Sequence, residues 1–155
     1  MAFDAYIQIE GIKQGQFKGG GGKANPNRIP ISSFSFSLQS PRDPLTGMAS
    51  GKRQYQPIVI QKSWSQASVQ MYQALATNET LKSVLIEFFT ATPQGVETPE
   101  HSISLTNASI TEVKELPENT QPSTGSELEE ISFVFQKIEI KDKSGANFTD
   151  DWSAR

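Results

Sequence analysis

Over the first ten residues, apolar and polar side chains alternate. Phe3, Ala5, Ile7 and Ile9 fall on one side of an extended chain, and Asp4, Tyr6, Gln8 and Glu10 on the other. A period of two is that of a β-strand with one buried face. Gly11 ends the alternation. It opens an irregular stretch containing four successive glycines, Gly19 to Gly22, and then Asn25-Pro26-Asn27. Such a stretch is flexible and offers little to pack. Alternation returns in Ser33-Phe34-Ser35-Phe36-Ser37-Leu38. It predicts a strand that turns Phe34, Phe36 and Leu38 toward a core and Ser33, Ser35 and Ser37 away from it.

From Ser40 to about Pro57 the pattern lapses into a loop with Pro41, Pro44, Pro57, Gly47 and Gly51. Loops beyond about 12–15 residues in a compact domain are usually functional or disordered. Ile58-Val59-Ile60 begins another strand, which runs to about Trp64. One segment carries the helical period. Ser68, Met71, Tyr72 and Leu75 fall at i, i+3, i+4 and i+7, flanked by Val69 and Ala76, with Ser65 as N-cap and Asn78 as C-terminal stop. Leu81 to Thr90 is apolar on both faces and predicts a strand buried on two sides. Pro93-Gln94-Gly95 then turns the chain.

From His101 to about Leu116 the alternation slips phase. Ile103 and Leu105 are odd, Ala108 and Ile110 even, which predicts a bulge near Asn107. Ile131, Phe133 and Phe135 are likewise followed out of phase by Ile138 and Ile140, placing a second bulge near Gln136. Glu118 to Glu127 reads as a polar loop, and 144–155 as a loose polar tail with Trp152 as an anchor. The predicted fold is mostly β: a small two-sheet barrel or sandwich of about seven to eight strands with one flanking α-helix. At 155 residues the chain suits a single domain, 1–155, able to bury about 68–70% of its unfolded surface.

Composition narrows the chemistry. Fourteen basic against 17 acidic residues leave a net charge of −3, which disfavours nucleic acid as a partner. With no cysteine, the chain has no disulfide, thiolate zinc site, iron–sulfur cluster or cysteine nucleophile. His101 is the one histidine, so a two-histidine metal motif is excluded. The start, MAFDAYIQIEG, has neither a basic nor an apolar leader region, and no apolar run approaches the roughly 18 residues that span a bilayer. Neither a cleaved signal peptide nor membrane insertion is expected.

Local motifs add little. Gly47 to Lys52 reads GMASGK; it has one residue too few between its glycines for a phosphate loop, and Arg53 stands where a hydroxyl is needed. His101 lacks the partners a general base requires, and Glu127, Glu129 and Glu130 read as a solvated acidic run. Asn78, Asn107 and Asn147 begin N-x-[ST] triplets, which arise often by chance. No catalytic residue, metal or cofactor is predicted.

Several longer stretches point elsewhere. SPRDPLTGMASGKRQYQPIVI from Ser40 to Ile60, the following SQASVQMYQALATNETL, then SLTNASI, LEEISFVFQKIEI and the closing DDWSAR occur in an order that resembles the Hcp family, the tube protein of the bacterial type VI secretion system. The opening MAFDAYIQIEGIKQG is similar to that family's first strand. The resemblance covers nearly the whole chain and departs from the family in the run Gly19 to Gly22. It implies two packed sheets with a helix on their flank, in subunits that form six-membered rings and stack into a tube.

The implied partners are further copies of the chain, a spike protein at the tube tip, a contractile sheath, and small effector proteins carried in the lumen. The implied location is the bacterial cytoplasm before firing and the extracellular space or target cell afterwards. Under this reading the loop 40–57 is an assembly loop. Pro41, Pro44 and Gly51 shape it, and Arg42, Asp43, Lys52 and Arg53 supply charge at a rim between subunits. Ser33, Ser35 and Ser37 form a candidate lumen face. The alternatives are a tail-tube protein of another contractile injection particle, or a monomeric β-barrel binding module.

Overall fold

The computed structural model describes residues 3–18, 27–91, 97–116 and 128–151. The glycine run, the turn at Pro93-Gln94-Gly95, the loop 118–127 and Trp152 lie outside these residues. In chain order the elements are β1 (Phe3–Gly11), β2 (Gly15–Gln16), β3 (Ile29–Ile31), β4 (Ser33–Ser35), β5 (Leu38–Gln39), β6 (Gln54–Tyr55), β7 (Ile58–Ser63), α1 (Gln66–Ala76), β8 (Leu81–Ala91), β9 (Glu97–Leu116), β10 (Leu128–Val134), β11 (Lys137–Asp142) and β12 (Asn147–Asp151). The strand number exceeds the expected seven to eight because several segments are two or three residues long.

The long strand β9 belongs to two sheets. Its first part pairs with β8 and β11, and its second, from Ser109 to Leu116, pairs with β10. Asn107 lies at the change, with φ +52. Asparagine tolerates this left-handed conformation better than most side chains. The predicted second irregularity lies beside it: the backbone N–H of Gln136 donates to the carbonyls of Thr106 and Asn107 at 3.3 and 3.2 Å. The β10–β11 chain thus turns the corner alongside β9. The larger sheet also holds β1 against β8 and β3 against β1; the smaller runs β9–β10–β7–β4. Residues 29–35 cross from one to the other, pairing β1 through β3 and β7 through β4, and the sheet is not closed into a barrel.

Ile7, Ile9, Val84, Ile86, Ile103 and Leu105 fill the interior from the larger sheet, and Ile58, Ile60, Ile131 and Phe133 from the smaller. Each such side chain contributes about 1.5–3 kcal/mol on burial. The helix α1 packs on β9 through Ala67, Met71 and Ala74. The buried stripe keeps Ser68 and Met71 of the expected one, leaves Leu75 half-buried, and has Ala67 and Ala74 in place of Tyr72. Two alanines let the helix approach closely, while Tyr72 turns outward and its hydroxyl donates to Glu115 Oε1 at 2.7 Å. Ser65 is the N-cap; its N–H donates to Ser68 Oγ at 3.0 Å. Asn78, just past the C-cap Thr77, takes φ +54 and ends the helix as predicted.

Four expectations need correction. The strand from Ser33 stops at Ser35, because the chain leaves the sheet there; Leu38 instead pairs with Tyr55 and is 43% exposed. On β8 Leu81, Val84, Ile86 and Phe88 join the core. Leu85 is half-buried on the outer face, and Phe89 is covered there by Tyr6 and by Arg28, whose guanidinium lies 4.9 Å from the ring centroid. The tail is not loose over 147–151. It forms β12 as a hairpin partner of β11, across a turn in which Gly145 takes φ +96.

Glu129 is not solvated either. It is fully buried, opposite Lys62 in the β10–β7 register, with Lys62 Nζ 2.9 Å from its Oε1. Lys62 Nζ also donates to Ser68 Oγ at 2.8 Å and to the carbonyl of Ser63 at 3.0 Å, and Ser68 Oγ donates to Glu129. Lys62 Nζ also donates to Oγ of the N-cap Ser65 at 3.2 Å, so the buried pair meets the first turn of α1 through hydrogen bonds and with no net charge.

Candidate assembly surfaces

Two surfaces answer to the residues singled out in the sequence. The first is the segment between β5 and β6. It is a narrow ribbon closed on itself by backbone bonds. Leu38 pairs with Tyr55 and Gln39 with Gln54, and Arg42 bridges Ala49. The N–H of Ser50 donates to the Pro41 carbonyl at 2.9 Å, and that of Asp43 to the Met48 carbonyl at 2.8 Å. At the tip, Asp43 Oδ1 accepts from the Leu45 N–H at 2.9 Å, and Gly47 turns the chain at φ +73. The loop expected over 40–57 is therefore an ordered arm.

The arm holds the predicted residues differently. Pro41 and Asp43 are half-buried within it, and Arg42, Pro44, Gly51 and Lys52 are exposed. Arg53 is engaged inside the chain: it forms a two-pronged ion pair with Asp150 of β12, with Nη2 donating to Oδ1 at 2.7 Å and Nε to Oδ2. Its Nη2 also donates to the Asp151 carbonyl at 3.3 Å. The Tyr55 hydroxyl donates to the same carboxylate. Burial, reinforced by the Asp150 charge, pushes the Tyr55 hydroxyl up to about 12, and the bond from Arg53 holds the Asp150 carboxyl below its ordinary value. The Tyr55 ring stacks on Phe36 and meets Phe135 edge-on, with centroids 6.1 and 5.2 Å away. Sequence inspection missed Asp150, which lies 97 positions from its partner. It also missed the apolar tip, where Leu45 is 93% and Met48 69% exposed.

The second surface is the outer face of the smaller sheet. Strand register places Ser33, Gln61, Glu130 and Lys114 in one row across β4, β7, β10 and β9, and Ser35, Val59, Ser132 and Glu112 in another. Between them Phe34, Ile60, Ile131 and Val113 form the row that points inward. Gln61 Nε2 donates to Glu130 Oε2 at 3.2 Å across the face. Ser33, Ser35 and Ser37 are all exposed, as the alternation predicts. The polar row beyond the serines could be read only once the pairing was known.

The His101 ring lies flat on Phe88, with centroids 4.4 Å apart and planes at 12°, and lines an apolar cleft of about 340 Å³ together with Ala5, Ile31 and Phe34. His101 also shares a second pocket with Glu87, Glu100, Asp142 and Lys143. Among the described residues no group of three or more His, Cys, Asp or Glu could hold a metal ion, and no helix is long and apolar enough to cross a membrane.

The described residues thus form a β-rich, two-sheet domain with an ordered ribbon whose tip is exposed and a sheet face lined by serines and charged side chains. Residues 6–141 match the family described as "Type VI secretion system effector, Hcp". The fold superimposes on the crystal structure of an Hcp protein with a TM-score of 0.88 and 26% identity, covering 99% of this chain and 100% of that one. A variant of the Hcp1 protein from E. coli EAEC 042 superimposes with a TM-score of 0.84 at 22% identity, over 97% of this chain and 99% of its own. The "Major exported protein" of Pseudomonas aeruginosa is 28% identical over 166 residues, which span 98% of this chain and 96% of that protein. The chain belongs to the Hcp family of type VI secretion, a family of secreted structural proteins rather than of enzymes.

Proposed function

We propose that this chain is a tube subunit of a type VI secretion system. Six copies close into a ring, and rings stack through the arm into a tube whose lumen holds small effectors. A closed ring needs a head-to-tail contact whose rotation closes, and tube growth needs a second, axial contact that does not. The observation that carries the reading is the arm. It is internally hydrogen-bonded yet projects with an exposed Leu45 and Met48. Order before docking lowers the entropy lost on docking, and exposed apolar side chains at a tip gain most from a partner.

The exposed strand edges suit the ring contact, because their backbone groups can pair with a neighbour. The polar face carrying Ser33 and Ser35, with Ser37 beside it, suits the lumen, since small hydroxyls hold cargo weakly. A spike protein at the tip, a contractile sheath and small effectors are the further partners. The protein acts from the bacterial cytoplasm and ends outside the cell or in a target cell.

Replacement of residues 41–53 by a short Gly-Ser linker tests the axial contact. Circular dichroism should stay near wild type, because closure entropy changes slowly with loop length. Negative-stain images should then show rings but no tubes, and export should fail. Tubes and export that persist would remove the arm from the assembly contact.

A further inference from the structure

The arm cannot hold its direction by itself. Among the described residues its two short strands pair with each other and with no other strand, and an isolated two-stranded ribbon is marginal in water. The arm is held to the body at its base, beside Arg53 and Tyr55. There one carboxylate gathers three donors: Nη2 and Nε of Arg53 and the hydroxyl of Tyr55. Paired, planar Arg–carboxylate contacts fix geometry as well as attraction. The Asp150 side chain is only 18% exposed, whereas Arg53 is 41% exposed, so the carboxylate is the fixed half and the guanidinium the delivered one.

We infer that Asp150 of β12 is a positioning residue for assembly: by clasping Arg53 and Tyr55, it orders and aims the arm 38–55. This inference rests on the tube reading above for its consequence, but not for the clasp itself. Arg53 is partly exposed, so the ion pair itself adds little to overall stability. The Tyr55 ring stays packed on Phe36 and Phe135 with or without the clasp, so the clasp acts chiefly on the arm. It links the last described strand of the chain to the assembly element, although the two are far apart in sequence.

Native-state hydrogen exchange on the full chain, with Asp150→Asn and Arg53→Gln, tests the clasp. The amides of Asp43, Gly47 and Ser50 report the arm, since each is bonded within it. Their exchange should quicken roughly tenfold in either variant, while amides of β1 and β8 keep wild-type protection. The double variant should be no faster than Asp150→Asn alone, because that change already removes the carboxylate that Arg53 pairs with. Unchanged arm exchange in both variants would overturn the inference.

Should either variant lose core protection as well, Tyr55→Phe removes a single hydroxyl and keeps the charges. A smaller quickening confined to the arm then supports the clasp, and a global loss overturns it. In assembly, Asp150→Asn should need roughly tenfold more protein to form tubes, the loss expected when a docking element must be ordered on binding. Quicker arm exchange with unchanged tube formation would overturn the positioning role. If the wild type itself makes no tubes, the tube reading fails, and the exchange data still judge the clasp.

Discussion

Glu79 follows the helix and reaches back to the turn after β1. Its Oε2 accepts the N–H of Lys13 and of Gln14, each at 2.9 Å, and its Oε1 accepts from Gln14 Nε2 at 3.1 Å. Burial alone would raise the Glu79 carboxyl, but the bonds from Gln14 and Lys13 outweigh it and hold the group below its ordinary value. A lowered carboxyl pKa stabilises the fold above the unfolded pKa of about 4.3, and that stability is lost as pH falls through the folded value. Glu79→Gln should therefore cost about 2 kcal/mol at pH 7, the range for hydrogen bonds to a charged group. The gap between the urea midpoints of wild type and variant should narrow on acidification from pH 7 to about pH 3. An equal gap at both pH values would show that the charge is not what matters.

The same carboxylate explains Gly11. A β-carbon there would stand 2.2 Å from Glu79 Oε2, and the two donors on that oxygen, with a third on Oε1, leave the carboxylate little room to move. In the sequence Glu79 was only the middle of an N-x-T triplet. Nothing local marks a carboxylate whose donors lie 65 and 66 positions away.

At the scale of elements, the alternation and its phase slips were legible because they record which face each residue buries. The slip between Leu105 and Ala108 marks the passage of β9 between sheets, with Asn107 in the conformation the corner requires. The extent of β4 was not legible, since Leu38 is as apolar as a core residue yet belongs to the arm. The arm's order was hidden as well. It depends on backbone bonds and on Asp150, none of which alters the local pattern of residues.

The polar face of β4 makes a direct prediction. The chain has no cysteine, so Ser35→Cys gives a single thiol on that face. In separated rings it should react readily with a bulky maleimide. Along capped tubes it should react much more slowly, because the lumen is closed to the reagent. Equal labelling in the two states would put Ser35 on the outer surface of the tube.

For the whole molecule, one core continues from sheet to sheet through β9, and the buried Lys62–Glu129 pair seats the helix at its start. The fold class and the family could be read from the chain because both reside in the order of strands and loops. What surrounds the Glu129 and Asp150 carboxylates could not, because Lys62 and Ser68 for the one, and Arg53 and Tyr55 for the other, are distant in sequence. The claim that unites the arm, the strand edges and the polar face is that the working unit is a ring. Native mass spectrometry of the purified protein at about micromolar concentration tests it most directly. The account predicts one dominant species at about six times the 17.1 kDa chain mass, with a central hole in images of the same sample. A monodisperse monomer would contradict it.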